Sequence, residues 1–320
     1  MADHVSAALF VYTKDSEHLI GRLQDNTFGV RITPVAFETL MQNTQEHLET
    51  AGHVVVSGAL DVVKSILEEA KTYDFSVGLI PTPSQRDLAK FFGGAKNLDG
   101  IIDLALRNEA HAVDLIRCNG KIVLYKAVLG RIPLIDAPAD TSRLSILIEG
   151  FKKFMGLRLL RFSFETADEA KIETAASGCM ILQHNKLSLA ARLISHEGSL
   201  TDGTISLVIA APVSIVDYLK FLVQSLTPGA KPKGLPSAIG LIKSRQVLVE
   251  SEADLDVFID GERATKTPLQ CEKERDAVRV IVLYELREVR TRTPSGTERL
   301  RLDHLARGQV VLKATARTIA

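Results

Sequence analysis

Short apolar runs alternate with amphipathic stretches of helical period through the first hundred residues, and after Ala112 that alternation stops. Val5 to Tyr12 reads as a buried strand through Val5, Ala7, Ala8, Leu9, Phe10 and Val11, and Val54-Val55-Val56 is fully apolar, the pattern of a central strand in a parallel sheet. The segment after Ser57-Gly58 places Leu60, Val63, Ile66, Leu67 and Ala70 on one helical face. Val77 to Pro81 is the next strand, and Ser84 can N-cap a helix carrying Leu88, Ala89, Phe91 and Phe92. Helices are also expected over Pro34–Thr50 and Leu98–Arg107. Alternation of this kind predicts an α/β domain.

Beyond Ala112 the chain turns to hairpin chemistry. Val113 to Arg117 and Lys121 to Tyr125 flank Asn119-Gly120, the strongest short hairpin signal. Further strands are expected over Arg158–Glu165, Lys171–Ala175, Cys179–Gln183, Thr204–Ala210, Gln246–Ser251, Leu255–Asp260 and Ala277–Tyr284. Helices are expected over Ser142–Met155 and Ser214–Ser225, with a Pro/Gly/Lys-rich loop over Thr227–Pro236. The second domain is therefore mostly antiparallel β. Residues 285–320 alternate charge and apolar side chains around Pro294-Ser295-Gly296, which suits a terminal hairpin. The arginines of this tail suit either a solvated face or anionic lipid.

Composition removes several function classes. The 39 basic residues balance the 39 acidic ones, which argues against a nucleic-acid binder. With no Trp and 5% aromatics, stacking platforms for single strands are not expected. The three cysteines, Cys118, Cys179 and Cys271, are far apart and odd in number, so no disulfide framework or zinc spacing is expected. That favours a reducing cytoplasm. No apolar stretch reaches membrane-span length, and no signal-peptide pattern opens the sequence.

The corner that carries the chemistry is Phe258-Ile259-Asp260-Gly261-Glu262-Arg263. Asp-Gly is a turn pair, and the acidic residues on either side of Gly261 place two carboxylates at one corner. One can take a proton while the other orients it or helps hold a metal. The same residues also suit a solvated hairpin tip.

Taken in order, the motifs resemble the catalytic domain of diacylglycerol kinases, sphingosine kinases and bacterial lipid kinases, a branch of the superfamily that includes NAD kinases. Gly78-Leu79-Ile80-Pro81-Thr82-Pro83-Ser84-Gln85-Arg86-Asp87-Leu88-Ala89-Lys90 resembles the family's G-I-I-P-x-G-T-G-N-D-F-A-R segment. Thr201-Asp202-Gly203-Thr204-Ile205-Ser206-Leu207 is similar to D-D-G-x-L-D-V, and Asp260-Gly261-Glu262 to the late D-G-E. The resemblance implies a two-lobed fold. An N-terminal α/β lobe would span 1–110, a C-terminal antiparallel β-sandwich lobe 111–284, and a tail 285–320.

It also implies ATP- and Mg²⁺-dependent phosphorylation of a lipid hydroxyl, diacylglycerol-like, between the lobes. Asp260 would be the base and Glu262 its partner. Ser57, Gly58, Asp61, Pro81, Ser84, Arg86 and Asp87 would face the nucleotide. Asp202 with the carbonyls of Ser199 and Thr204 would hold the cation, a donor set that suits a hard metal; a bare Asp-Gly turn is the alternative. The implied setting is cytoplasmic, with a lipid ligand, no nucleic acid, and peripheral membrane contact and oligomerisation both open. One departure stands out: where the family has G-G-D-G-T, this chain has Ser57-Gly58-Ala59-Leu60-Asp61. Ala59 removes a carboxylate, Leu60 adds a Cβ where backbone approaches phosphate, and Asp61 adds negative charge. Pro83 and Arg86 replace a Gly and an Asn of the second loop; Pro83 offers no N–H, while the Arg86 guanidinium could meet a phosphate. A pseudokinase that binds lipid or a phosphorylated metabolite is therefore the second expectation.

Overall fold

The computed structural model describes residues 5–26, 28–82, 97–132, 148, 152, 156–167, 171–183, 201–211 and 239–281. The helix expected from Ser84, the one over 214–225, the loop 227–236, the tail and nearly all of 142–155 lie outside these residues. Two compact units emerge. The first holds the chain up to Leu115, Thr201, Asp202 and Glu274–Ile281; the second holds the described residues from Ile116 to Lys273 apart from Thr201 and Asp202.

The first unit runs β1 (Ala7–Tyr12), α1 (Leu19–Gln24), β2 (Arg31–Ala36), α2 (Phe37–Gln42), α3 (Thr44–Leu48), β3 (His53–Ser57), α4 (Leu60–Tyr73), β4 (Ser76–Leu79) and α5 (Leu98–Ala105). The strands pair in parallel in the order β2-β1-β3-β4. All five residues of β3 are buried, as its unbroken apolar run requires. Helix α4 buries Val63, Ile66, Leu67 and Ala70 of the face read from the 3.6-residue period; Leu60, at its first turn, is only half-buried, and Val62 is buried beside them. The helix expected to begin at Pro34 is instead preceded by a strand. Pro34 lies in β2, opposite Phe10. β2 is the end strand of the sheet, where a residue lacking an N–H is tolerated.

His53 on β3 is buried, and both ring nitrogens are engaged. Nε2 lies 2.7 Å from the Ala105 carbonyl and Nδ1 2.7 Å from Ser76 Oγ. The carbonyl only accepts, so Nε2 carries the proton and Nδ1 accepts from Ser76. Burial lowers the imidazole's affinity for a second proton below the ordinary value, and the Ala105 carbonyl opposes this less strongly. The unfolded chain therefore binds more protons near and below pH 6.5. This group's contribution to stability is fully present above pH 6.5 and is lost as pH falls through the window below it. The expected slope is up to about 1.4 kcal/mol per pH unit. Denaturant unfolding of wild type and His53→Gln across that window checks this: the difference between their stabilities should shrink as pH falls.

The second unit continues with β5 (Ala110–Cys118), β6 (Lys121–Val123), β7 (Lys126–Gly130), β8 (Leu160–Thr166), β9 (Lys171–Ala176), β10 (Gly178–Leu182), β11 (Ile205–Ala210), β12 (Ile239–Ser244), β13 (Gln246–Ser251), β14 (Asp256–Ile259), β15 (Glu262–Lys266) and β16 (Leu269–Ile281). β5 and β16 cross the boundary: Ala110–Leu115 and Glu274–Ile281 belong to the first unit. There, Arg279 and Val280 of β16 pair in parallel with Ser76 and Val77 of β4.

One sheet of the second unit has the order β12-β11-β10-β7-β14-β15. The other is built from β16, β13, β8 and β9 with the β5–β6 hairpin. Ala127, Leu129, Ile181, Leu207, Val257 and Ile259 from the first sheet share a core with Ile116, Phe162, Phe164, Val247, Val249 and Leu269 from the second. That is a β-sandwich. Asn119 and Gly120 take the positive φ values, 47° and 78°, that a two-residue hairpin turn demands.

The cysteines require a correction. Cys118 on β5 and Cys271 on β16 are joined as a disulfide, 153 residues apart in sequence but on paired strands. Distance along the chain was a poor guide, because β16 returns to pair with β5. The cytoplasmic expectation loses the premise it rested on. Cys179 is free and buried, and burial pushes its thiol far up, so it is unreactive.

Candidate functional site

Asp260 and Gly261 form the two-residue turn between β14 and β15, with φ of 54° and 97°. Asp tolerates this left-handed conformation better than most side chains. The turn presents the Asp260 carboxylate to the backbone between β6 and β7. Oδ2 accepts from the Leu124 amide at 3.0 Å, and Oδ1 accepts from Tyr125 at 2.7 Å and Lys126 at 3.1 Å. The Asp260 amide in turn donates to the Lys126 carbonyl at 2.8 Å. At least three of the carboxylate's roughly four acceptor positions are thus taken by amides. Glu262 is exposed at the start of β15, opposite Ile259. The next residue, Arg263, pairs with Asp256 at 2.7 Å on the surface, where such pairs contribute little.

The Ser57–Asp61 loop belongs to the first unit. Helix α4 starts after Ala59 with no side-chain cap, so its first amides have no side-chain acceptor at the cap position. Such an end attracts anions, but Asp61 already places a carboxylate in the first turn, exposed. Gly58 has a packing reason to be glycine. A Cβ there would stand 3.0 Å from Val62 Cγ1 and 3.1 Å from Thr13 Cγ2. Ser57 is buried; its carbonyl accepts from Ser16 Oγ at 2.7 Å, and its hydroxyl is buried without a hydrogen-bond partner. Pro81 is half-buried two residues after β4. Gly78 of the same motif is also fixed by packing, since a Cβ would lie 2.2 Å from the Ala105 carbonyl oxygen. Ser84, Arg86, Asp87 and Ser199 lie outside the described residues.

The 201–204 segment leads into β11. Asp202 is half-buried, and Gly203 has φ of 67°. The Thr204 carbonyl, an expected cation ligand, accepts from Lys273 Nζ at 3.1 Å. Lys273 is buried on β16. A protein cation thus already holds one of the oxygens given to the implied Mg²⁺, which weakens the fit of this donor set. Among the described residues, no group of three or more His, Cys, Asp or Glu side chains is placed to hold a metal.

Sequence reasoning missed the Leu124–Lys126 amides and Lys273. Amides carry no residue signature. The lysine did leave one: Leu269, Cys271 and Lys273 recur at the strand period with the first two in the core.

No family profile matches the chain. A Shewanella frigidimarina protein named "Probable lipid kinase YegS-like" is 20% identical over 223 residues, 66% of this chain and 72% of that protein. The crystal structure of a diacylglycerol kinase from Bacillus anthracis str. Sterne superposes with a TM-score of 0.64 at 14% identity, covering 89% of this chain and all of that one. A second structure from the same organism gives 0.65, covering 88% and 96%. The fold is that of diacylglycerol kinase-like structures. The α/β unit and the β-sandwich unit are the two parts of that kinase-like fold, as expected from the motif order. Two glycines of the kinase-like motifs, Gly58 and Gly78, survive where packing requires them. No helix among the described residues is long and apolar enough to cross a membrane.

Proposed function

We propose that this lipid-kinase-like chain binds a lipid or phosphorylated metabolite and does not transfer phosphate from ATP. The observation that carries this is the Asp260 carboxylate, which accepts three amides at 2.7–3.1 Å. A general base must reach the proton it abstracts. Here the carboxylate's capacity is engaged in holding a turn. The substituted loop supports the same reading: Ala59 and Leu60 remove the carboxylate and the glycine, and Asp61 opposes a phosphate at the start of α4.

A second reading is ATP- and Mg²⁺-dependent phosphorylation of a diacylglycerol-like hydroxyl, with Asp260 as base and Glu262 as its partner. The end of α4 without a side-chain cap favours it, because helix N-terminal amides suit phosphate oxygens. Two assays separate the readings. In thermal shift, ATP with Mg²⁺ is expected to leave the melting temperature unchanged, while micelles or vesicles containing diacylglycerol or its phosphate raise it. Incubation of a lipid extract with labelled ATP is expected to give no labelled lipid. Labelled lipid that disappears with Glu262→Gln would establish the second reading and remove the first.

A further inference from the structure

We propose that Lys273 supplies, from within the chain, the positive charge at the 201–204 segment that the lipid-kinase resemblance assigns to Mg²⁺. β16 alternates inward and outward, so Leu269, Cys271 and Lys273 fall on one face. The first two pack in the sandwich core, and the third stands at the position that continues it. A lysine buried at such a place is destabilising unless its ammonium finds acceptors. The Thr204 carbonyl, the residue just before β11, supplies one at 3.1 Å. At its own backbone, Lys273 donates to the Arg245 carbonyl at 3.0 Å, tying it to the β12–β13 connection. The ammonium is thus delivered by a paired strand to one of the two carbonyls that the resemblance gives to the metal.

A strand-borne ammonium and a free divalent cation solve the same electrostatic problem differently. The ammonium is present whenever the chain is folded; the metal depends on its concentration. It follows that the 201–204 segment keeps its position without metal, and that Asp202 and the Thr204 carbonyl form no divalent site. This holds whether or not the chain transfers phosphate, because it rests on the contact between Lys273 and Thr204, both in the second unit, and not on the Ser57–Asp61 loop.

The test uses the full chain without nucleotide, melted in EDTA and in millimolar Mg²⁺, and titrated calorimetrically with Mn²⁺. Wild type is expected to melt identically in both buffers and to show no Mn²⁺ binding that depends on Asp202. Lys273→Met, which keeps the apolar stem and removes the charge, should melt about 5 °C lower. Lys273→Arg should recover most of that shift. If Lys273→Met does not fold, a folded Lys273→Arg that is indifferent to Mg²⁺ supports the assignment. Stoichiometric Mn²⁺ binding to wild type that Asp202→Asn removes would overturn it, as would Lys273→Met melting with wild type.

Discussion

Asp260→Ala is expected to lower the unfolding free energy by about 5 kcal/mol, and the melting temperature by about 10 °C. Two effects combine. Removing the carboxylate strands the Leu124, Tyr125 and Lys126 amides, which donate to it at 3.0, 2.7 and 3.1 Å. Bonds to a charged acceptor contribute about 1.5–3 kcal/mol each, and these amides are partly buried, so the lower end applies. Alanine also tolerates a φ of 54° less well than aspartate, a penalty of about 1 kcal/mol. Asp260→Asn separates the clamp from a catalytic base. Asparagine accepts the left-handed conformation and offers one carbonyl oxygen, but its NH₂ would face an amide N–H. It should lose about half as much stability as the alanine variant. A residue serving as base alone would lose transfer activity and keep its melting temperature. Glu262→Gln is the control: exposed and outside the clamp, it should move stability by no more than about 0.5 kcal/mol. Chemical denaturation of the three variants checks all of this.

The legible part of the chain was the part written in periodicity. The unbroken run at Val54–Val56 and the apolar positions Val63, Ile66, Leu67 and Ala70 of α4 produced a strand and a helix where expected, and Asn119-Gly120 produced its hairpin. Each is a local rule acting on neighbouring residues. β2 was misread because Pro34 starts helices and also sits in edge strands, and only the sheet order distinguishes the two. β7 is short and its partner β10 lies about 50 positions on, while β15 is short and largely polar, so neither stands out by apolar alternation. At the candidate site the residue types were legible but their partners were not. Asp260 stands out in the sequence as an acidic residue at a turn and a candidate base. Its constraint comes from three amides more than 130 positions earlier, which no side chain announces. Lys273 was overlooked because a lone basic residue in a charged strand passes for surface, although its alternation with Leu269 and Cys271 placed it inside.

The disulfide is the other long-range feature, and its removal is the second large effect expected. Cys118 and Cys271 close a loop spanning 153 residues. In the chain-entropy account, a loop of that length restricts the unfolded state by up to about 5 kcal/mol, and about 2–4 kcal/mol is usually realised. Reduction, or the Cys118→Ala/Cys271→Ala pair, should therefore destabilise the protein by about 3 kcal/mol without changing the fold. Native structure is expected to survive because the same strands are held by other contacts. The Asn119 amide donates to the Gln270 carbonyl at 2.8 Å, and the Gln270 amide donates to Asn119 Oδ1 at 2.8 Å. Asn119 Nδ2 also reaches the Pro268 carbonyl at 3.1 Å. Thiol titration of the denatured, unreduced chain decides whether the bridge forms: one reactive thiol, that of Cys179, is expected before reduction and all three cysteines after it. Three thiols before reduction would remove the bridge and leave the strand pairing, with the Asn119 contacts, to hold β5 to β16. In that case the double alanine variant should differ from wild type only by the packing of two small buried side chains, about 1–2 kcal/mol.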